Sequence, residues 1–372
     1  DRAAVRDLDG RYVIPGFVDT HAHWYEVRRD LLDLQSWSFL ANLAFGVTSG
    51  LDVQGMDQDA FVYQDLIDAG RMIGPRAWAV GRGMFSDNVI ESREDARKLL
   101  RRYRDYYGTR NVKAYAIGDR RTRQWLIEAA AEFGMMPTTE GMADLKLDLT
   151  HAIDGFAGNE HYVPEPLYRD VIELFGRTRI AYTPTLLITS GGPAAEDVFF
   201  SAAPWHEHPK LARFMPHTVI DARTSPRQWL RSDQHIYPRV AADARSILQA
   251  GGRIGIGSHA QLQGVAYHWE MQAFAAGGWT PREILTAATI GGSEIIGRAG
   301  AIGSLEPGKY ADLLILERNP LESIDNTLLI RQVMKNGRLY DADTLDELWP
   351  RERALPELWF ADDAPQAANS HQ

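Results

Sequence analysis

Eight short, mostly apolar runs, each followed by a helix-like or long connecting segment, constrain this chain more than any other feature. They are GFVD (16–19), VTSGLD (47–52), AWAVG (77–81), VKAYA (112–116), MPTTEG (136–141), GFAGNEH (155–161), AYTPTLL (181–187) and RIGIGSH (253–259). Helical periodicity shows between them, in TRQWLIEAAAEFG (122–134), PLYRDVIELFGR (166–177) and VAADARSILQAGG (240–252). Strand and crossover repeated eight times predict an α/β fold, a (β/α)8 TIM barrel, whose chemistry collects at the C-terminal strand ends. At 372 residues the chain has room for that barrel and a small addition.

The addition is read from the tail. PREILTAATIGGSEIIG (281–297) reads as two helical pieces, and ADLLILE (311–317) as a buried strand among Gly and Pro turns. IRQVMKNGRLYD (330–341) reads as a hairpin across Asn336-Gly337. A small accessory β-sandwich element is therefore expected beside the barrel. Residues 1–15 would be its N-terminal remnant, 16–302 the barrel, 303–345 its C-terminal strands, and 346–372 a helix fading into a mobile tail. The sequence opens on DRAAVRDLDG without Met, so an N-terminal part, with any signal peptide, is expected to be missing.

Composition excludes several functions. A net charge of −10, with basic runs such as RKLLRRYRD (97–105) interleaved with acids, offers no phosphate track for nucleic acid. With no cysteine there is no disulfide, no thiolate nucleophile and no Cys-ligated zinc. Any metal must be held by His, Asp, Glu or an oxygen built on Lys. No run of 18 apolar residues is present, so no membrane span is expected.

Polar groups then gather where the barrel needs them. In VIPGFVDTHAHW (13–24), His21 and His23 sit two apart at a strand end, so an extended backbone points both rings the same way. Lys113 lies on the fourth strand, Glu140 ends the fifth, His161 the sixth and His259 the eighth. Each has a plain explanation alone: Lys113 could snorkel, Glu140 could cap a helix, and His161 could be a loop histidine. An isolated H-x-H is also a weak motif. Five strands delivering metal-competent groups at one end of one barrel favour a metal centre over those explanations.

These residues resemble the amidohydrolase superfamily, in its imidazolonepropionase-like and metal-dependent dipeptidase branch. PGFVDTHAH is similar to the superfamily signature after strand one, and AATIGGSEIIGRAGAIGSLEPGKYADLLILERNPLE (287–322) to its C-terminal phrase. TTEG, GSHAQLQG and HWE resemble members whose barrel follows a TolB-type β-propeller, so a missing N-terminal propeller is one expectation. The resemblance implies that His21 and His23 bind the more buried of two divalent ions, with Asp19 supporting them. It implies that Lys113, carboxylated by CO2, bridges the ions as a carbamate, and that His161 ligates. Zinc is the expected metal.

Two positions depart from the pattern: Glu140 stands where a histidine ligand is usual, and His259 where an aspartate serves as ligand and base. A neutral imidazole cannot ligate and accept a proton through one nitrogen. If His259 is a ligand, the base is sought among Glu140, Glu160 and His268. The expected reaction is cleavage of an amide, cyclic amide or peptide-type C–N bond in a small molecule or short peptide. A water bridging the two ions, its pKa lowered from about 15.7 towards ~7, attacks the carbonyl. His268, in AYHWE (266–270), is a substrate-binding candidate, with Glu270 beside it; the alternative is the first turn of a helix packing Trp269. The segment 188–240, with TSGGP and HEHPK, is the candidate lid, and its His206 and His208 read as solvated. A non-catalytic metal-binding relative, and a lactonase or deaminase on the same barrel, are the alternatives. Substrate, a homo-oligomer and location are left open, extracytoplasmic being favoured over cytoplasmic.

Overall fold

The computed structural model describes residues 5–24, 32–53, 59–85, 87–115, 117–164, 166–188, 195–224, 230–259 and 262–361. All eight expected strands are among them. After β1 (Tyr12–Pro15), which belongs to the accessory sheet, they run β2 (Phe17–Ala22), β3 (Val47–Asp52), β4 (Arg76–Ala79), β5 (Asn111–Lys113), β6 (Met136–Glu140), β7 (Gly158–Glu160), β8 (Ala181–Thr183) and β9 (Arg253–Ile254). Neighbours pair in parallel and in chain order, in ladders β2-β3-β4 and β5-β6-β7-β8-β9. A few hydrogen bonds span each of the two seams. Met84 N donates to Lys113 O (2.9 Å) and Tyr115 N to Met84 O (2.9 Å) on one side. Thr20 N donates to Ile256 O (3.0 Å) and His259 N to His21 O (3.1 Å) on the other.

The crossovers follow from local chemistry. The helix Arg120–Phe133 starts where the Asp119 carboxylate accepts from Thr122 N and stops at Gly134, whose φ of 62° is left-handed. Leu145–Asp154 repeats the device with Asp144 and Gly155. Helix Val265–Ala276 is different, because nine of its twelve residues, His268 and Glu270 among them, are buried. It carries no polar face by which sequence periodicity could orient it. The candidate lid holds helices at Glu196–Ala202, Pro209–Phe214 and His217–Thr224, while TSGGP (189–193) lies outside the described residues.

The accessory element is one antiparallel sheet among the described residues, ordered β1-β10-β11-β12-β13. Its later strands are β10 (Leu313–Leu316), β11 (Ile330–Lys335), β12 (Arg338–Asp341) and β13 (Glu347–Trp349). Asn336 and Gly337 take φ of 54° and 73°, the two left-handed positions of a type I′ hairpin turn. The buried pair Arg76–Asp312, at 2.5 Å, ties this sheet to the start of β4. The tail departs from expectation: instead of a helix fading from 346, β13 pairs with β12, Tyr340 opposite Glu347. No described helix is long and apolar enough to cross a membrane.

Candidate metal centre

At the C-terminal end of the barrel the strand-end residues converge. His21, His23 and His259 each bring a ring nitrogen within 4.8 Å of the others. His21 Nε2 and His23 Nε2 lie 3.1 Å apart, and the His23 and His259 ring centres 4.2 Å apart. His161 joins them, its ring centre 4.6 Å from that of His21 and 5.0 Å from that of His259. Next to His161, Glu140 Oε2 sits 3.1 Å from His161 Nε2 and 3.0 Å from Lys113 Nζ. Lys113 is 1% exposed, whereas Glu140 and His161 are 16% and 18% exposed and border the mouth.

The backbone is bent to achieve this. His161, Thr185 and His259 have φ of 70°, 49° and 46°, left-handed values that non-glycine residues rarely adopt. Such strain persists where the surroundings over-determine it, typically at functional sites. Gly257 supplies the close approach, since a Cβ there would stand 2.4 Å from His21 Cβ. Asp19 binds both strand ends: Oδ1 accepts from His21 N (3.0 Å) and Ser258 N (3.2 Å), and Oδ2 from Ser258 Oγ (2.6 Å). Gln263 Nε2 donates to His23 O at 2.8 Å.

Burial dominates the electrostatics. It drives His21 well below the usual imidazole range, helped by His161 and His259, and His259 down to about 3; His161 is lowered too. All three are thus neutral at physiological pH, the state in which imidazole ligates. Burial pushes Asp19 up to about 6 and Glu160 up to about 7. Burial opposes ionising Glu140, but the His161 hydrogen bond and the Lys113 charge outweigh it and hold Glu140 down to about 2.

A divalent cation fits these donors. His259 Nδ1 is buried without a hydrogen-bond partner. His161 Nδ1 meets Thr185 Oγ1 at 2.8 Å, which orients the ring. Its Nε2 lies 3.1 Å from Glu140 Oε2, so donors from two strand ends face one place. The 3.1 Å separations at His21–His23 and Glu140–His161 also approach the ~3.3 Å edge of a tetrahedron with ~2.0–2.1 Å bonds.

Three expectations are corrected. His268 is not at the mouth: it is fully buried, its Nε2 bonds Phe45 O (2.8 Å), its Nδ1 meets Thr327 Oγ1 (2.9 Å), and it packs against Phe17 at the opposite end of β2. Glu270 is also fully buried, accepting from Leu186 N (2.8 Å) and Leu187 N (3.1 Å) and bracing the chain after β8. Glu160 is no base for a substrate, because one oxygen faces His21 Nδ1 (2.8 Å) and the other accepts from Thr138 Oγ1. His206 is exposed, as expected, while His208 is half-buried against Phe45 and Trp205. Sequence reasoning missed Thr185 and Ser258; the only signal was a hydroxyl beside a strand-end ligand.

The model of the amidohydrolase family matches residues 12–340. The imidazolonepropionase of Porphyromonas gingivalis is 33% identical over 105 residues, 26% of this chain and 25% of that one. The imidazolonepropionase of Shouchella clausii is 23% identical over 195 residues, 49% of this chain and 38% of that one. The aligned part thus spans well under half the length of these curated relatives. Among solved structures, a Xaa-Pro dipeptidase with methionine bound in its active site superposes with a TM-score of 0.66 at 18% identity, covering 91% of each chain. Molinate hydrolase gives 0.69 at 16% identity, covering 90% of this chain and 84% of that one. At these identities the superpositions establish the shared barrel fold.

Proposed function

The chain belongs to the amidohydrolase family, and from that membership we propose that it is a metal-dependent hydrolase acting on an amide-type carbon–nitrogen bond in a small molecule or short peptide. The observation that carries the reading is the convergence of His21, His23 and His259 within 4.8 Å at the C-terminal end of the barrel. Relatives named imidazolonepropionase and neighbours named as a dipeptidase and a hydrolase support the same class.

His21, His23 and His259 hold the first ion, for which zinc suits an all-nitrogen donor set. Glu140, His161 and a carbamate on Lys113 hold a second. The burial of Lys113 and the matching 3.1 Å donor separations support this fuller arrangement. Carbamylation needs the neutral amine: its nitrogen adds to CO2 and one proton leaves. Ions bound there supply Lewis acidity that lowers the pKa of water and polarises a carbonyl.

The remaining work falls to the chain's own groups. Glu140 is ionised and faces the mouth; with Oε2 given to the ion, Oε1 is the oxygen left to accept the proton released by the attacking water and return it to the leaving nitrogen. His259, whose Nδ1 has no hydrogen-bond partner, is the other group placed to hold a proton or a metal. Asp19 and Ser258 keep the first and eighth strand ends in register, so that donors from two elements stay aimed at one point.

Metal analysis joined to a substrate panel tests the proposal. Protein purified metal-replete is expected to carry near two equivalents of zinc or a similar ion. It should hydrolyse at least one member of a panel of amides, dipeptides and cyclic amides, with lactones and amino-heterocycles as the competing classes. His21→Ala is expected to lose both. A metal-replete preparation holding no transition metal refutes the proposal.

A further inference from the structure

We propose that Glu160 is a positioning residue: its carboxylate turns the His21 ring so that Nε2 faces the ion, and it compensates the charge of an ion held by three neutral histidines. This rests on the metal-dependent reading above and deepens it.

Glu160 is a carboxylate buried inside the barrel. Glu160 ends β7, its side chain is 5% exposed, and no described Arg or Lys forms an ion pair with it within 4.0 Å. Burying a carboxylate in a dry barrel is costly even with the Lys113 charge nearby, so its retention calls for a partner that gains from it. Its partners are the Nδ1 edge of His21 at 2.8 Å and the hydroxyls of Thr138 and Thr183.

An imidazole presents its two nitrogens on opposite edges. With Nδ1 held by Glu160, Nε2 is the edge that faces His23 Nε2 at 3.1 Å. When Nε2 is given to a cation, the ring's one proton resides on Nδ1, directed at the carboxylate. Carboxylate–histidine pairs of this kind fix the tautomer and raise the basicity of the ligating nitrogen.

Charge leads to the same residue. His21, His23 and His259 carry no negative charge, so an ion on them is balanced only by groups behind them. Asp19 touches the His21 backbone nitrogen rather than its ring. Glu140 lies beside His161 and Lys113. Glu160 is the carboxylate that reaches the three-histidine group through a ligand ring. His161 is oriented instead by a neutral hydroxyl, that of Thr185, at 2.8 Å. The two histidines thus have unlike supports, and removal of Glu160 should act on the three-histidine site.

Glu160→Gln keeps the size and the oxygen acceptor but removes the charge. Its Zn2+ affinity, measured by competition with a chromophoric chelator, is expected to fall by roughly 10- to 100-fold. The metal-free variant should melt no lower than the metal-free parent, because a buried carboxylate has been replaced by an amide. Co2+ bound to the variant should show an altered visible spectrum, the signature of a changed ligand field. An affinity within twofold of the parent's overturns the proposal. So does a metal-free variant whose stability falls in step with its affinity, since that is the behaviour of a packing residue. A parent that takes up neither Zn2+ nor Co2+ overturns the metal-dependent reading itself, so the two failures are told apart.

Discussion

Replacing His268 with glutamine should alter how stability depends on pH while leaving catalysis alone, the reverse of what a substrate-binding histidine would do. The ring is fully buried and lies beside Phe17 and Phe45, and Phe45 O can only accept, so Nε2 carries the proton. Burial lowers its pKa from 6.5 to about 3, with Lys210 and His208 adding to the effect. The unfolded chain therefore binds a proton near pH 6.5 that the folded chain refuses until about pH 3. Between those values the unfolded state holds more protons, so stability falls as pH falls through the window. From pH 7 to pH 4.5 the loss from this one group is about 2.5 kcal/mol, taking ~1.4 kcal/mol per pKa unit. His268→Gln cannot titrate, and its amide can still donate to Phe45 O. Urea unfolding of both metal-free proteins at steps between pH 7 and pH 4.5 should show the parent losing about 2.5 kcal/mol more than the variant. Metal-loaded variant at pH 7 should keep the kcat and KM of the parent. Parallel stability curves, or a raised KM with unchanged stability, would refute the placement and its energetics.

Three further outcomes are expected. Gly257→Ala would bring a Cβ to 2.4 Å from His21 Cβ and 2.5 Å from Thr183 Cγ2; thermal unfolding should show a loss of about 1–3 kcal/mol, with weakened Zn2+ binding. Lys113→Ala should lose the second equivalent of metal while keeping the first, and short-chain carboxylates with bicarbonate should partly restore turnover; a parent giving no carbamate signal by carbon-13 NMR under labelled CO2 would sink this. His259→Ala should lower kcat by roughly 10²–10⁴, whereas His259→Asp, which supplies a carboxylate at the same strand end, should retain metal; a kcat for His259→Ala equal to the parent's would make this histidine structural.

The candidate ligands were legible because they sit at the ends of five strands, and a strand terminus is a place that sequence can locate. His21, His23, Lys113, Glu140, His161 and His259 all lie at the end of the barrel that the eight-run pattern assigns to chemistry. The supporting residues were harder to read. Glu160 is adjacent to a ligand, and sequence alone made it a possible base. It is instead a buried partner of His21, because β7 ends at Glu160 and the left-handed His161 turns the chain there, separating the surroundings of the two side chains. His268 and Glu270 failed for another reason. Helix Val265–Ala276 is buried nearly all round, so no amphipathic pattern indicated which residues face the barrel mouth. Their hydrogen bonds reach Phe45, Thr327, Leu186 and Leu187, contacts made across the chain that no local motif encodes. The same distinction applies to substitutions at this centre. Groups aimed at the ion are specified by strand position and should tolerate exchange for another ligand, whereas groups that hold them are specified by tertiary packing. Glu160→Gln and Gly257→Ala should therefore impair metal binding although neither residue is a ligand.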